Sequence, residues 1–140
     1  MTVSELDYVV ADVIKRAPFH RLLQIDVVSQ DIDAARARLG ITLRPELLRS
    51  DSAGGLHGGV IASLIDVAAF FAVRLCTGRG GATSALSVDY LRPVNGVRVE
   101  AQARVIKSGR TQALADVEVF DGTTLVAVGR ARFTLSGEAE

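Results

Sequence analysis

Cysteine is almost missing from this 140-residue chain: Cys76 stands alone. An internal disulfide framework is therefore excluded, and the composition fits a reducing, cytoplasmic setting. Histidine occurs twice, at His20 and His57. With one cysteine, that leaves no zinc cluster to build, so no metal site is expected. Tryptophan is absent and aromatics total 5%, which argues against stacking platforms for bases. An excess of one charge is absent too. Sixteen basic residues balance 16 acidic ones, without the basic surplus that nucleic-acid binding needs. The start, Met1 to Asp7, has neither a basic nor an apolar stretch of the kind a signal peptide requires. The longest apolar run, Val60 to Cys76, is broken by Asp66 and Arg74. It is also shorter than the ~20 residues of a membrane span. Neither nucleic acid nor membrane is expected as a partner.

What remains is apolar material: 49% of residues are hydrophobic and 23% charged. This suffices for one packed domain covering residues 1–140. Residues 4–17 read as a leading helix. Ser4 and Asp7 form a weak capping box, and Leu6, Val9, Val10, Val13, Ile14 and Ala17 follow at helical spacing. Pro18 is expected to stop it. Strands are expected at 22–29 and 34–43, the second alternating Ala35, Ala37, Leu39 and Ile41 against Arg36 and Arg38. An irregular stretch from Pro45 to Leu56 leads into a helix from His57 or Gly58 to about Cys76, apolar nearly all round. Gly78 to Gly81 closes it. Four further strands are expected at 83–91, 97–107, 112–120 and 124–135, joined by hairpin-like turns. One buried helix against consecutive antiparallel strands is an α+β architecture.

The chemistry concentrates in Leu56-His57-Gly58-Gly59 and in Asp66. His-Gly-Gly falls where the loop becomes the helix, so free N–H groups and the positive end of the helix dipole gather there. A carbonyl oxygen set against the Gly58 and Gly59 N–H groups would be polarised as in an oxyanion hole. Asp66 is the helix's single carboxylate, and its neighbours Leu64, Ile65, Val67 and Ala68 are apolar. Such an acid is costly unless solvated, paired or used. A bond to nearby Ser63 is the plain structural alternative. Cys76 reads as a core residue and His20 as a surface or interface residue.

The segment His57-Gly58-Gly59 followed by Asp66 resembles the motif of hotdog-fold acyl-CoA thioesterases of the PaaI-like, phenylacetate-degradation type, related to the 4-hydroxybenzoyl-CoA thioesterases. The likeness continues in Thr83 to Pro93, which contains Tyr90-Leu91-Arg92-Pro93. It also includes Lys107-Ser108-Gly109-Arg110 and Leu125 to Arg130. The resemblance implies a hotdog fold, an α+β unit in which a curved antiparallel sheet wraps a long central helix. It implies acyl-CoA hydrolysis, with coenzyme A as part of the substrate and no separate cofactor. Asp66 resembles the catalytic general base or nucleophile, and Gly58 the donor that polarises the thioester carbonyl. His57 resembles the residue that orders the loop, with Gly59 beside it. Thr83, or Ser84 by a slip of one, resembles the hydroxyl next to the attacking water. Where the family carries an amide, this chain has Asp51, a carboxylate that only accepts hydrogen bonds. Arg92 and Arg110 are the leading candidates for the CoA phosphates, ahead of Arg79 and Lys107. Phe70, Phe71 and the leading helix are expected to border the acyl group. The resemblance further implies a homodimer pairing into a homotetramer, with active sites between subunits. An acyl-CoA binder without hydrolysis is the alternative. A hotdog dehydratase is disfavoured because the chain has no His-Phe-Pro run.

Overall fold

The computed structural model describes residues 12–52 and 54–137. Residues 12–16 are helical, while the first part of the expected leading helix, including Ser4 and Asp7, lies outside the described residues. The leading helix ends at Arg16, ahead of Pro18 as expected, but Pro18 does not lead into a strand. It occupies the first turn of a new helix, α1 (Pro18–Leu23), with Ala17 as N-cap. Proline is suited to that position because its missing N–H would be unsatisfied anyway. The strand expected at 22–29 is corrected accordingly. Leu22 and Leu23 belong to α1, Gln24 ends it in the left-handed conformation at φ 54°, and β1 covers Asp26–Asp31.

The remaining order is β2 (Arg36–Thr42), a 3-10 turn at Pro45–Leu47, α2 (Gly58–Thr77), β3 (Gly80–Tyr90), β4 (Arg98–Ser108), β5 (Gln112–Asp121) and β6 (Thr124–Ser136). The strands form one antiparallel sheet in the order β1-β2-β4-β5-β6-β3, so β1 and β3 are its edges. β3 begins earlier than the sequence suggests. Gly80 and Gly81 favour turns, yet they pair with Ser136 and Leu135. A Cβ on Gly81 would lie 2.3 Å from the Thr134 carbonyl oxygen, so only glycine lets the two strands run this close.

α2 lies against the sheet and forms the core with it. Leu64, Ile65, Ala68, Phe71 and Ala72 are fully buried against Leu39, Val99, Ala101, Ala115, Val117 and Phe133. Alanines on the central strands keep the sheet surface low, and Gly129 brings it lower still: a Cβ there would sit 2.7 Å from Ile65 Cγ2. α2 has 20 residues, with an 18-residue stretch of mean hydropathy 2.0, long and apolar enough to cross a bilayer. Its burial, 67% of that stretch, marks it instead as the core helix of this fold. Gly78 caps it at φ 67°, returning its N–H to the Arg74 carbonyl at 2.8 Å. Cys76 is exposed, contrary to expectation. It falls on the last turn next to buried Leu75, with its own side chain turned to the exposed edge, Sγ 3.7 Å from Ser108 Oγ on β4.

Candidate functional site

The loop before α2 is fixed before the helix starts. The His57 N–H donates to the Leu47 carbonyl at 2.9 Å, Leu48 bridges Leu56, and the Leu56 N–H reaches the Val94 carbonyl. His57 is the N-cap, and its Nδ1 accepts the Gly59 N–H at 2.9 Å. This corrects one expectation: Gly59 is not a free donor toward a ligand, because the histidine ring occupies it. Gly58 is the first helical residue, so its N–H belongs to the unsatisfied group of the first turn. Its carbonyl accepts the Tyr90 hydroxyl at 2.6 Å. Both glycines have a steric reason. A Cβ on Gly58 would lie 3.3 Å from the Tyr90 ring, and one on Gly59 would lie 3.0 Å from His57 Nδ1.

Two turns along α2, Asp66 Oδ1 accepts the Thr83 hydroxyl at 2.6 Å. The Ser63 alternative fails, since Ser63 Oγ donates to the Gly59 carbonyl at 2.8 Å. Of the two candidate hydroxyls on β3, Thr83 is the one that reaches the acid, while Ser84 Oγ turns to the Arg132 carbonyl at 3.2 Å. A β-bulge between Thr83 and Ala85 makes that possible, since bulges re-aim side chains. Asp66 and Thr83 open onto a cavity of about 510 Å³ whose walls include Val13, Ala17, His20 and Phe70. Phe70 and the leading segment thus border the space beside the acid. Phe71 does not: it is fully buried in the core.

Gly58 opens onto a separate hollow of about 290 Å³, shared with Arg49, Tyr90 and Arg92. Arg92 also donates to the Leu125 carbonyl at 2.9 Å, which holds it in place. Arg110 lies elsewhere, in a basic hollow of about 320 Å³ with Lys107 and Arg132. Arg79 is committed to the carbonyls of Gly137 and Arg110 at 2.9 and 2.7 Å. Asp51 is exposed in the loop and has no ion pair among the described residues. Sequence reasoning placed Tyr90 in the strand motif but gave it no role; nothing in spacing alone links it to Gly58.

The strongest electrostatic perturbations lie away from these residues, on the outer face of the sheet. Glu100, which alternates with core-facing Val99 and Ala101, is held below the usual carboxylate range by hydrogen bonds from Arg98 and Arg38. Asp116 is lowered likewise by the Arg130 guanidinium, which grips both its oxygens at 2.6 and 3.0 Å. These are ion pairs of the sheet surface, and no carboxylate of α2 takes part. Among the described residues, no group of three histidine, cysteine or acidic side chains is placed to hold a metal ion.

Within one chain, Gly58 and Asp66 are eight residues apart on a helix, about 12 Å along the axis at 1.5 Å per residue. One thioester carbonyl cannot touch both in the same protomer.

Comparison with known proteins identifies the family to which this fold belongs. The family model described as the thioesterase superfamily matches residues 53–137. The chain is 33% identical over 136 residues to human acyl-coenzyme A thioesterase 13, covering 93% of each. It is 33% identical over 120 residues to the medium/long-chain acyl-CoA thioesterase YigI of Salmonella typhimurium, covering 74% of this chain and 76% of that one. The solved structure of the Escherichia coli PaaI protein from the phenylacetic acid degradation operon superposes with a TM-score of 0.84 at 24% identity, over 99% of both chains. A long helix packed on one antiparallel sheet, opened by His-Gly-Gly and matched along its length to these proteins, leaves one assignment: the chain belongs to the thioesterase superfamily and is a thioester hydrolase of the hotdog fold.

Proposed function

We propose that this protein hydrolyses an acyl-CoA thioester to a free acid and coenzyme A, with Asp66 as the reacting carboxylate and the Gly58 N–H as the carbonyl's hydrogen-bond donor. The observation that carries this is the Thr83–Asp66 contact at 2.6 Å. It places an oriented acid in the middle of an apolar helix, beside a cavity of a size to take an acyl group. As a general base, Asp66 removes a proton from water while the oxygen attacks the carbonyl carbon. Negative charge gathers on the carbonyl oxygen, where the Gly58 N–H and the helix dipole oppose it. Collapse breaks the C–S bond, and the proton held by Asp66 passes to the leaving sulfur. As a nucleophile, Asp66 would attack the same carbon, form an anhydride and release the thiolate before water regenerates it. Both courses use the same two groups.

The reach between Gly58 and Asp66 supports a site shared by two subunits, Asp66 of one facing Gly58 of the other. β3, which carries Thr83, is an edge strand, and pairing with a second copy would remove that open edge. A homodimer, and its doubling to a tetramer, belong to this proposal. So do a cytoplasmic location, the absence of any cofactor beyond the substrate's own coenzyme A, and a role for Arg92 and Arg110 at the CoA phosphates. Lys107 and Arg132 make the Arg110 hollow the more basic of the two.

Turnover of a panel of aryl- and fatty acyl-CoAs, read as free thiol, tests the reading. Hydrolysis by the wild type and its loss in Asp66→Ala is the expected result. Binding of acyl-CoA without release of thiol would overturn hydrolysis in favour of a binding protein.

A further inference from the structure

Resting on that reading, we infer that Tyr90 is a positioning residue for the hydrolysis, acting through the backbone of Gly58. The peptide unit between Gly58 and Gly59 is held at both ends. Its carbonyl accepts the Tyr90 hydroxyl at 2.6 Å, and its N–H donates to His57 Nδ1 at 2.9 Å. Two side chains from different parts of the chain, one on the loop and one at the end of edge strand β3, thus grip one peptide from opposite sides.

The tyrosine bond is not required to satisfy the carbonyl. A carbonyl in the first turn of a helix already accepts from the N–H four residues on, so the Tyr90 hydroxyl takes its second lone pair. Burial within the chain does not explain the residue either, because there Tyr90 is 53% exposed. Its ring lies within 3.3 Å of where a Gly58 Cβ would stand, so the aromatic body seats the hydroxyl over the peptide.

The need for such a grip follows from the sequence. Two consecutive glycines at a helix start have the greatest backbone freedom, and helix ends fray. A donor to an oxyanion works when it is held in place before charge develops, within about 2.7–3.1 Å of the oxygen. Rotation about the glycine bonds would swing the Gly58 N–H off that line. The Gly58 N–H belongs to the preceding peptide, whose carbonyl at His57 accepts the Val60 N–H at 3.0 Å; with the next peptide held by Tyr90 and His57, the donor is braced from both sides.

Tyr90→Phe tests the inference, since it keeps the ring and removes only the bond. The expected result is a fall in kcat of about tenfold, smaller than the ~10²–10³ that follows outright loss of an oxyanion donor. KM should stay within about twofold and the melting temperature should be nearly unchanged, because uniform binding and the fold are not touched. A second reading is spectroscopic. In an Asp66→Asn background, the carbonyl stretch of a bound ¹³C-labelled acyl-CoA should move to lower frequency, and adding Tyr90→Phe should return part of that shift. Unchanged kcat in Tyr90→Phe, a loss confined to KM, or an unchanged carbonyl stretch would overturn the inference. Asp66→Asn with full activity would instead overturn the catalytic reading on which it rests, so the two failures are told apart.

Discussion

Thr83 and Asp66 meet across the gap between the edge strand and the central helix, hydroxyl oxygen to carboxylate oxygen at 2.6 Å. Their meeting depends on one irregularity. Thr83 and Tyr90 are seven residues apart on β3, and side chains at odd separation point to opposite faces of a regular strand. The bulge between Thr83 and Ala85 cancels that parity, so both reach α2: Thr83 at Asp66 and Tyr90 at Gly58.

With one carboxylate oxygen engaged by Thr83, the other is left to water or to the thioester. Asp66→Asn should therefore lower kcat by about 10³, within the usual range for a lost acid–base group. Thr83→Val, equal in shape but without the hydroxyl, should cost about tenfold, because orientation is lost while the acid remains. Steady-state hydrolysis by both variants checks the ranking. A Thr83→Val enzyme as impaired as Asp66→Asn would mean that the hydroxyl itself takes part in the reaction.

Gly58→Pro removes the proposed oxyanion donor with little disturbance to the backbone. Gly58 is the first residue of α2, where proline is favoured. His57 before it already sits at φ −62°, ψ 133°, the extended region that a following proline demands. The new Cβ would stand 3.3 Å from the Tyr90 ring, which would have to yield a few tenths of an ångström. The variant should keep its helical circular dichroism and lose about 10²–10³ in kcat. Near-normal turnover would remove Gly58 from the mechanism.

Much of this was legible in the residues, and the failures have local causes. α2 was readable almost to its ends because histidine–glycine–glycine and Gly78 mark them and the apolar stretch from Val60 to Cys76 is interrupted only by Ser63, Asp66 and Arg74. β2 was readable from the alternation of Ala37, Leu39 and Ile41 with Arg36, Arg38 and Gly40, although Ala35, expected on the same face, belongs to the turn before it at φ 51°. α1 was missed because Pro18 reads equally as an end and as a beginning, and because Gln24, not glycine, takes the left-handed cap. Cys76 looked like core because an apolar run does not tell which side of the last turn faces away from the core: Leu75 is buried and Cys76 beside it is exposed. The pairing of Asp66 with Thr83 was anticipated only through family resemblance. Occupation of the Gly59 donor by His57, and the grip of Tyr90 on Gly58, depend on a side-chain orientation and a bulge that no periodicity encodes.

Stability should depend on pH through the outer face of the sheet. Glu100 takes hydrogen bonds from Arg98 at 3.0 Å and Arg38 at 2.9 Å, and its carboxyl is depressed below the ordinary range. Asp116 is depressed by Arg130. A carboxyl with a lower value in the folded state contributes stability above the unfolded carboxylate range. That contribution is lost as pH falls through the folded value. Glu100→Gln should thus destabilise by about 0.5–1 kcal/mol at neutral pH, as befits partly exposed pairs. The gap from wild type should narrow as pH drops below about 4. Urea unfolding followed from pH 7 downward measures it. A gap that stays constant with pH would show that Glu100 acts through packing and not through charge.

The separation of Gly58 and Asp66 along α2 yields the sharpest test of how the site is assembled. If each site takes its acid from one subunit and its donor from the other, Asp66→Asn and Gly58→Pro are defects in opposite halves. Each variant alone should be nearly inactive. In a mixed dimer, however, one site would collect both lesions and the other would collect neither. Random re-association of equal amounts would make half the dimers mixed, restoring about a quarter of wild-type activity in a two-fold symmetric assembly. Mixing folded variants should restore nothing until the subunits exchange, so recovery should appear only after mild denaturation and refolding together. Intact mass spectrometry of the mixed species would confirm that exchange took place. Exchange without recovery would place the acid and its donor in the same chain, and the helix rise of 1.5 Å per residue would then require a different group to polarise the carbonyl.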